Sequence, residues 1–297
     1  MKTKAGIYRW SKTLRTESEV ATWEAVIESS GLTHAMISHN VGRKTHALEI
    51  FDPVRAELAG WQKQFGGEIE FLTAAKLEAM SQPPPEEEAS LLKIRDRLLV
   101  SQTADKQVLN DIRKEFPERT ILSYPPGLAF GTGDHATTAT CLRQITDFAK
   151  RQARLDEAHW DFLDLGCGSG ILSAAANALG ADQVLGIDFD EMAVRTAHRL
   201  AAQNGLEEAS LIVDDVLKWK PQRHQTYDLI AANIFHDVLI EVFPRLPAWL
   251  KPRGELIVSG ILNSQESNCL RAGAKAGFEF DRVIRKGKWS TAHGKLV

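Results

Sequence analysis

The chain has 297 residues, 25% of them charged and 43% hydrophobic, with a formal net charge of -3. This balance creates no global field toward nucleic acid or an anionic membrane, and no run reaches the ~18 apolar residues of a membrane-spanning helix. Cys141, Cys167 and Cys269 show neither paired nor metal-ligand spacing, and the basic start Met1-Lys2-Thr3-Lys4 is not followed by the apolar run of a secretory signal, so a soluble cytoplasmic protein with reduced thiols is expected.

The first eighty residues have their own rhythm. Gly6 to Leu14 reads as a strand, and Glu17 to Ser30 as a helix with Val20, Trp23, Val26 and Ile27 on one face. His34 to His39 and Thr45 to Phe51 read as two strands joined by a turn with Asn40 and Gly42. A helix over Pro53 to Phe65 and a strand over Glu68 to Thr73 complete the order strand, helix, strand, strand, helix, strand. That is the ferredoxin-like plan, and it predicts a small α+β domain over residues 1–80. The run Ser81-Gln82-Pro83-Pro84-Pro85-Glu86-Glu87-Glu88 then predicts an extended, solvated spacer, and residues 81–118 are expected to link two domains. Within that stretch Leu91 to Ser101 reads as a strand or bridging segment and Val108 to Phe116 as a helix. Thr120 to Ser123 is a short strand.

From residue 119 onward strands and helices alternate, which predicts a doubly wound α/β sheet covered on both faces. Ala136 to Lys150 reads as a helix with Cys141, Leu142, Ile145 and Phe148 along one side. Helices are also expected over Gly170 to Leu179 and Glu191 to Asn204. His236 to Leu250 is expected to be a third helix, kinked or broken at Pro244. Strands are expected before Gly166, before Asp188, at Leu211 to Val213, at Asp228 to Asn233 and at Glu255 to Ser259. Phe278 to Arg285 and Trp289 to Val297 form a closing antiparallel hairpin.

The strand Phe162-Leu163 runs into Asp164-Leu165-Gly166-Cys167-Gly168-Ser169-Gly170, and Val184 to Ile187 runs into Asp188-Phe189-Asp190. Glycines let a ligand approach the backbone, and an acid at the next strand end is placed to hold a ribose. A dinucleotide fingerprint needs Gly-x-Gly-x-x-Gly, whereas here the glycines alternate and Ile171 follows Gly170. The acid ahead of the glycines suits a ligand carrying positive charge, such as S-adenosylmethionine. A nicotinamide-dependent oxidoreductase and a non-catalytic binding module are the competing readings.

The stretch Pro126-Gly127-Leu128-Ala129-Phe130-Gly131-Thr132-Gly133-Asp134-His135-Ala136-Thr137-Thr138 resembles the signature of the ribosomal protein L-eleven methyltransferases. The glycine turn, Gly186-Ile187-Asp188, Ala232-Asn233-Ile234 and Ser259-Gly260-Ile261-Leu262 with Gln265 are similar to that family's later motifs, in the same order. The chain departs from the pattern at Pro125, where an acid is common, at Ala136, where Pro is usual, and at Phe235, where Leu is usual.

The resemblance implies a class I S-adenosylmethionine-dependent methyltransferase domain over residues 119–297, with a ferredoxin-like domain that recognises the substrate. It implies methylation of amino groups, a lysine side chain and/or the N-terminal amine, on a large-subunit ribosomal protein. Lysines of another protein or a small-molecule amine remain the alternative acceptors. No direct nucleic-acid binding, membrane partner or metal is expected.

Asp188 is expected to accept from two ribose hydroxyls, or otherwise to cap the helix from Glu191. Gly166 and Gly168 are expected to line the amino-acid end of the cofactor. By resemblance Thr138 contacts the cofactor; alternatively its hydroxyl bonds its own helix. Asp215 is read as meeting the adenine amino group, or as a solvated loop acid. Asn233 is read as the catalytic residue, its side-chain oxygen accepting from the substrate amine, or else as a cofactor contact or helix cap. Phe130 is read as covering the cofactor or the acceptor chain, or as core packing. Gly127, Gly131 and Gly133 suggest a segment that closes over the cofactor, and His135 a proton relay or a structural histidine.

Overall fold

The computed structural model describes residues 6–16, 19–20, 22–23, 26–27, 35–39, 45–73, 76, 91–125, 135–155, 159–207 and 210–297. The spacer at 81–90 and the signature residues 126–134, with Phe130, Gly127, Gly131 and Gly133, lie outside them. The chain divides into two compact units, Met1–Gln82 and Pro83–Val297.

In the first unit, β1 (Gly6–Leu14), β2 (Ala35–His39), β3 (His46–Asp52) and β4 (Glu68–Thr73) form an antiparallel sheet in the order β2-β3-β1-β4. Helical residues at 19–20, 22–23 and 26–27 and the helix α1 (Arg55–Phe65) supply the two expected crossovers. Side chains alternate along a strand, so Trp10, Leu14, Leu48 and Ile50 share one face and bury against Val20, Trp23 and Leu58. Trp23 meets Phe65 edge-on at 4.7 Å, and the Trp10 indole N–H donates to the Gly66 carbonyl at 2.8 Å. This strand order is that of the ferredoxin-like plan.

The second unit begins with β5 (Leu91–Ile94), β6 (Leu98–Ser101), α2 (Lys106–Glu115) and β7 (Thr120–Ser123), the strands ordered β5-β6-β7. Asp105 caps α2, its carboxylate accepting from the Gln107 and Val108 amides at 2.7 and 2.9 Å. Residues 91–118 were expected as linker, yet Ile94, Leu98 and Val100 are buried in one core with Cys141 and Leu142. The Pro and Glu run upstream dominates the composition, and Leu98-Leu99-Val100 is too short an apolar run to declare itself a buried strand.

The remainder is α3 (Ala136–Gln152), β8 (Asp161–Leu165), α4 (Ile171–Ala178), β9 (Gln183–Asp188), α5 (Glu191–Gln203), β10 (Leu211–Val213), β11 (Tyr227–Asn233), α6 (His236–Val242), β12 (Leu250–Leu262), α7 (Glu266–Lys275), β13 (Phe278–Lys286) and β14 (Trp289–Leu296). Their sheet runs β10-β9-β8-β11-β12-β14-β13. The first five strands are parallel and the closing hairpin is antiparallel. Phe162, Leu229 and Ile257 point into the core with α3, α4 and α5; Leu163, Ile230 and Leu256 point into the other with α6 and Phe243. α6 stops at Val242 and a 3-10 turn covers Phe243–Ala248, because Pro244 and Pro247 lack the N–H that an α-helix needs. Among the described residues no helix is long and apolar enough to cross a membrane.

β8, β9 and β10 step in one direction while β11 and β12 lie on the other side of β8. The order therefore reverses between β8 and β11, and the crevice at their carboxyl ends is where such sheets take ligands.

At the far edge, His293 of β14 lies between Glu255 of β12 and Asp281 of β13, each 2.6 Å from one ring nitrogen. Arg151 of α3 also pairs with Glu255. Burial favours the neutral ring, but the hydrogen bonds to Glu255 and Asp281 outweigh it and hold the His293 pKa above its ordinary value. The stabilisation is thus complete below the unfolded pKa of ~6.5 and is lost as pH rises through the higher folded value. His293→Gln is expected to cost ~1.5–3 kcal/mol at pH 6 and less at pH 9. Calorimetric melts of both proteins across that range check this; a difference independent of pH would contradict a charged His293.

Candidate functional site

The site is built where β8 ends. Gly166 N–H and Cys167 N–H both donate to the Ile187 carbonyl, at 2.8 and 2.9 Å, so the turn folds back on the end of β9. Gly168 N–H donates to Asp188 Oδ2 at 2.8 Å, and Asp190 N–H donates to Asp188 Oδ1 at 3.0 Å. Gly166 has φ +70, and a Cβ there would overlap Ile234 Cγ2. The position requires glycine for conformation and space together. Asp188 is buried and each of its oxygens has accepted one amide. The helix α5 is capped by Asp190, which accepts from Met192 N–H at 2.8 Å.

The turn opens into a cavity lined by Thr138, Gly166, Cys167, Gly168, Ser169, Ile171, Leu172 and Asn233. It lies at the reversal between β8 and β11, since Asn233 is the last residue of β11. Thr138 Oγ1 and Asn233 Oδ1 are both buried without a hydrogen-bond partner. The contrast within α3 is informative: Thr140 and Thr146 bond the carbonyls four residues back, at 2.7 and 2.8 Å, and Thr138 does not. Buried polar atoms are normally satisfied, so two such oxygens on one cavity wall mark a place for a donor. Tyr124 and Gln144 also carry unpartnered polar atoms, but neither lines the cavity.

Behind the turn, Asp164 is fully buried. Its Oδ2 accepts from Ser173 N–H at 3.1 Å and Ser173 O–H at 2.7 Å, and Oδ1 has no partner. Burial raises its pKa to about 7 against the lowering effect of Ser173, with the Asp188 charge adding to the rise. Burial likewise pushes the Cys167 thiol well above its ordinary value, so it sits in the turn as a small neutral side chain, not a nucleophile.

Of the sequence-derived site residues, Thr138, Gly166, Gly168 and Asn233 share the cavity wall, and Asp188 is bonded to the turn. Asp215 stands apart from the lining. Its Oδ1 accepts from Leu217 N–H at 2.9 Å and its Oδ2 pairs with Lys218 at 2.9 Å, and the bond to Lys218 leads the lowering of its pKa. Its neighbour Asp214 donates its N–H to the Asp188 carbonyl at 3.0 Å. Phe130 lies outside the described residues. His135 begins α3, with Nδ1 2.7 Å from Thr137 Oγ1 and its ring edge-on to Trp289 at 5.2 Å.

The sequence reading missed Cys167, Ser169, Ile171 and Leu172 in the lining and the exposure of Phe189 and Phe235. A phenylalanine between two acids at a strand end, as in Asp188-Phe189-Asp190, has no core to join; that was the available signal for Phe189. Among the described residues no group of His, Cys, Asp and Glu is arranged to hold a metal.

The family model for ribosomal protein L11 methyltransferase (PrmA) matches residues 92–296. The chain belongs to this family. It is 40% identical over 183 residues to the ribosomal protein L11 methyltransferase of Haemophilus ducreyi, covering 61% of this chain and 59% of that protein. To the protein of the same name from Heliobacterium modesticaldum it is 36% identical over 171 residues, covering 57% and 51%. The Desulforapulum autotrophicum protein is 34% identical over 207 residues, covering 68% and 65%. The chain thus spans about half to two thirds of the length of these curated relatives. The crystal structure of ribosomal protein L11 methylase from Lactobacillus delbrueckii subsp. bulgaricus superposes with TM-score 0.56 at 28% identity, covering 69% of this chain and 98% of that one. The second unit has the class I methyltransferase fold, and the closing hairpin is part of it.

Asp164 gives a prediction on stability. With a folded pKa raised to about 7, the buried acid is neutral at pH 5, and stability falls as pH rises from the unfolded pKa of ~3.9 through that value. Asp164→Asn keeps an acceptor for Ser173 and removes the ionisation. Its melting temperature relative to the parent is expected to be higher at pH 8 than at pH 5. Equal differences at the two pH values would mean that the carboxyl ionises without penalty.

Proposed function

We propose that this chain is an S-adenosylmethionine-dependent methyltransferase whose acceptors are amino groups, a lysine side chain and/or the N-terminal amine, of ribosomal protein L11. The observation that carries the reading is the pair of unsatisfied buried oxygens, Thr138 Oγ1 and Asn233 Oδ1, facing the glycine turn that Asp188 closes. The family name and the relatives' names support methyl transfer to L11.

The residues fit the cofactor. Asp188 retains lone pairs beyond those used by the Gly168 and Asp190 amides, and with them it accepts from the ribose hydroxyls. Gly166 and Gly168 line the cavity and would admit the amino-acid end. Thr138 adds a hydroxyl from the start of α3. Asp215 keeps lone pairs beyond those used by Leu217 and Lys218 and would accept from the adenine amino group. When bound, S-adenosylmethionine supplies an electrophilic methyl group on a sulfonium.

Asn233 acts on the other reactant. Its Oδ1 accepts an N–H from the neutral acceptor amine and turns the nitrogen lone pair toward the methyl. A lysine acceptor begins at pKa ~10.4 and loses its proton before attack. Among the described lining residues none is a base for that step; solvent would take the proton, and the chain contributes alignment more than proton transfer. Recognition of the acceptor is assigned to the ferredoxin-like domain over residues 1–80. Because the family match begins at residue 92, lysines of another protein or a small-molecule amine stay as the second reading of the acceptor.

Incubation with labelled S-adenosylmethionine and purified L11, intact large subunits or cell extract tests the acceptor, with the label located by mass spectrometry. Label on L11 amines is expected; label only on another molecule transfers the activity to the second reading. For the site, Asp188→Ala is expected to weaken binding of S-adenosylhomocysteine ~100-fold or more, equivalent to ~3 kcal/mol, by titration calorimetry. Asn233→Ala is expected to lower kcat by a larger factor than it raises that dissociation constant. Unchanged turnover in either variant would remove the role given to it.

A further inference from the structure

One family-like segment, Ser259-Gly260-Ile261-Leu262, plays no part in the cavity lining. Asn233 pairs with Ser259 as the last rung between β11 and β12. Just beyond, the register of β12 on β14 shifts between Val258 and Ile261, and Gly260 in that bulge has φ +80. The bulge is anchored by the Ser259 hydroxyl, 2.6 Å from that of Thr291 on β14. A Cβ on Gly260 would lie 2.5 Å from the Ile234 carbonyl oxygen, 3.0 Å from its carbon and 3.1 Å from its nitrogen. The backbone of β12 therefore rests directly on the peptide unit that follows Asn233. From the opposite side Gly166 leaves space for Ile234 Cγ2. Ile234 is held between two glycines, its backbone on Gly260 and its side chain on Gly166.

We infer that Gly260 is a positioning residue for methyl transfer: by seating the backbone of Ile234 against the β12 bulge, it fixes where Asn233 Oδ1 stands in the cavity. The inference rests on the proposed role of Asn233. Asn233 ends its strand, so no further rung of the ladder constrains the chain beyond it, and the bulge supplies the missing restraint. A β-bulge of this kind re-aims a neighbouring side chain without adding a contact to the ligand. An alanine at Gly260 has to push the Ile234 peptide away, and a displacement of about 1 Å at an aligning group costs ~10²-fold in rate.

A double-mutant cycle tests it, with Gly260→Ala, Asn233→Ala and the pair measured for kcat at saturating S-adenosylmethionine and for S-adenosylhomocysteine affinity by calorimetry. Gly260→Ala is expected to lower kcat ~10-fold or more with affinity within ~3-fold, and to add less than ~2-fold in the Asn233→Ala background. A glycine needed only for packing would instead lower both quantities, and its loss would multiply with that of Asn233→Ala. Multiplicative losses, or a Gly260→Ala enzyme with parental kcat, overturn the inference and leave the role of Asn233 standing. Parental turnover in Asn233→Ala overturns both. If Gly260→Ala does not fold, Thr291→Val carries the same cycle, since it removes the hydroxyl that anchors the Ser259–Gly260 bulge from β14; the same outcomes decide.

Discussion

The structure of the site depends on one hydrogen bond, from Gly168 N–H to the Asp188 carboxylate. It joins the end of β9 to the glycine turn leaving β8, and the two amides ahead of it, Gly166 and Cys167, are already tied to the Ile187 carbonyl. Three consecutive N–H groups are thus satisfied by two residues of the next strand. The turn cannot open toward the cavity without breaking charge-assisted and backbone bonds together, and hydrogen bonds to charged groups contribute ~1.5–3 kcal/mol each. The same carboxylate keeps acceptor capacity beyond these two bonds, so the bond that shapes the turn also fixes where the acid stands.

Against that rigid half, the other wall is left unsatisfied. Thr138 and Asn233 present buried oxygens with no partner, and Asp164 carries a third beneath the turn. A buried acceptor without a donor costs ~1–3 kcal/mol. The surrounding fold is suited to bear this, because both faces of the sheet are closed by apolar cores that include Phe162, Leu229, Ile230 and Leu256. Asp164 shows the same bias in electrostatic form. Burial raises its pKa to about 7, so the unpaired oxygen belongs to an acid that is held neutral well above the ordinary carboxylate range.

Much of this was legible in the sequence because the relevant residues obey local rules. Gly6 to Leu14 reads as a strand from its own residues, and the glycine turn with Asp188 announced itself by residue type and spacing. Pro244 ended its helix as proline chemistry requires. What was not legible depends on contacts made across the chain. Leu98-Leu99-Val100 is a buried strand only because α3 packs on its sheet. Asp215 reads as a ligand acid by position, but its bonds to Leu217 and Lys218 of its own turn appear only in the fold. Gly260 carries a motif but no chemistry of its own, and its meaning appears only when β12 is laid beside Ile234. Ile171 and Leu172 looked like the first turn of a helix and are also cavity wall.

The departures from the family pattern fall in an orderly place. Thr138, Gly166, Gly168 and Asn233, which line the cavity, all keep the motif. Pro125, Ala136 and Phe235 depart from it, and none of them lines the cavity; Phe235 is 72% exposed just after Asn233. The three departures therefore leave the described lining as the motif has it, while Phe235 sets an exposed ring directly after the strand end that carries Asn233. On the role proposed for Asn233, a ring exposed beside it would attract a methylated, cationic amine by ~0.5–1 kcal/mol.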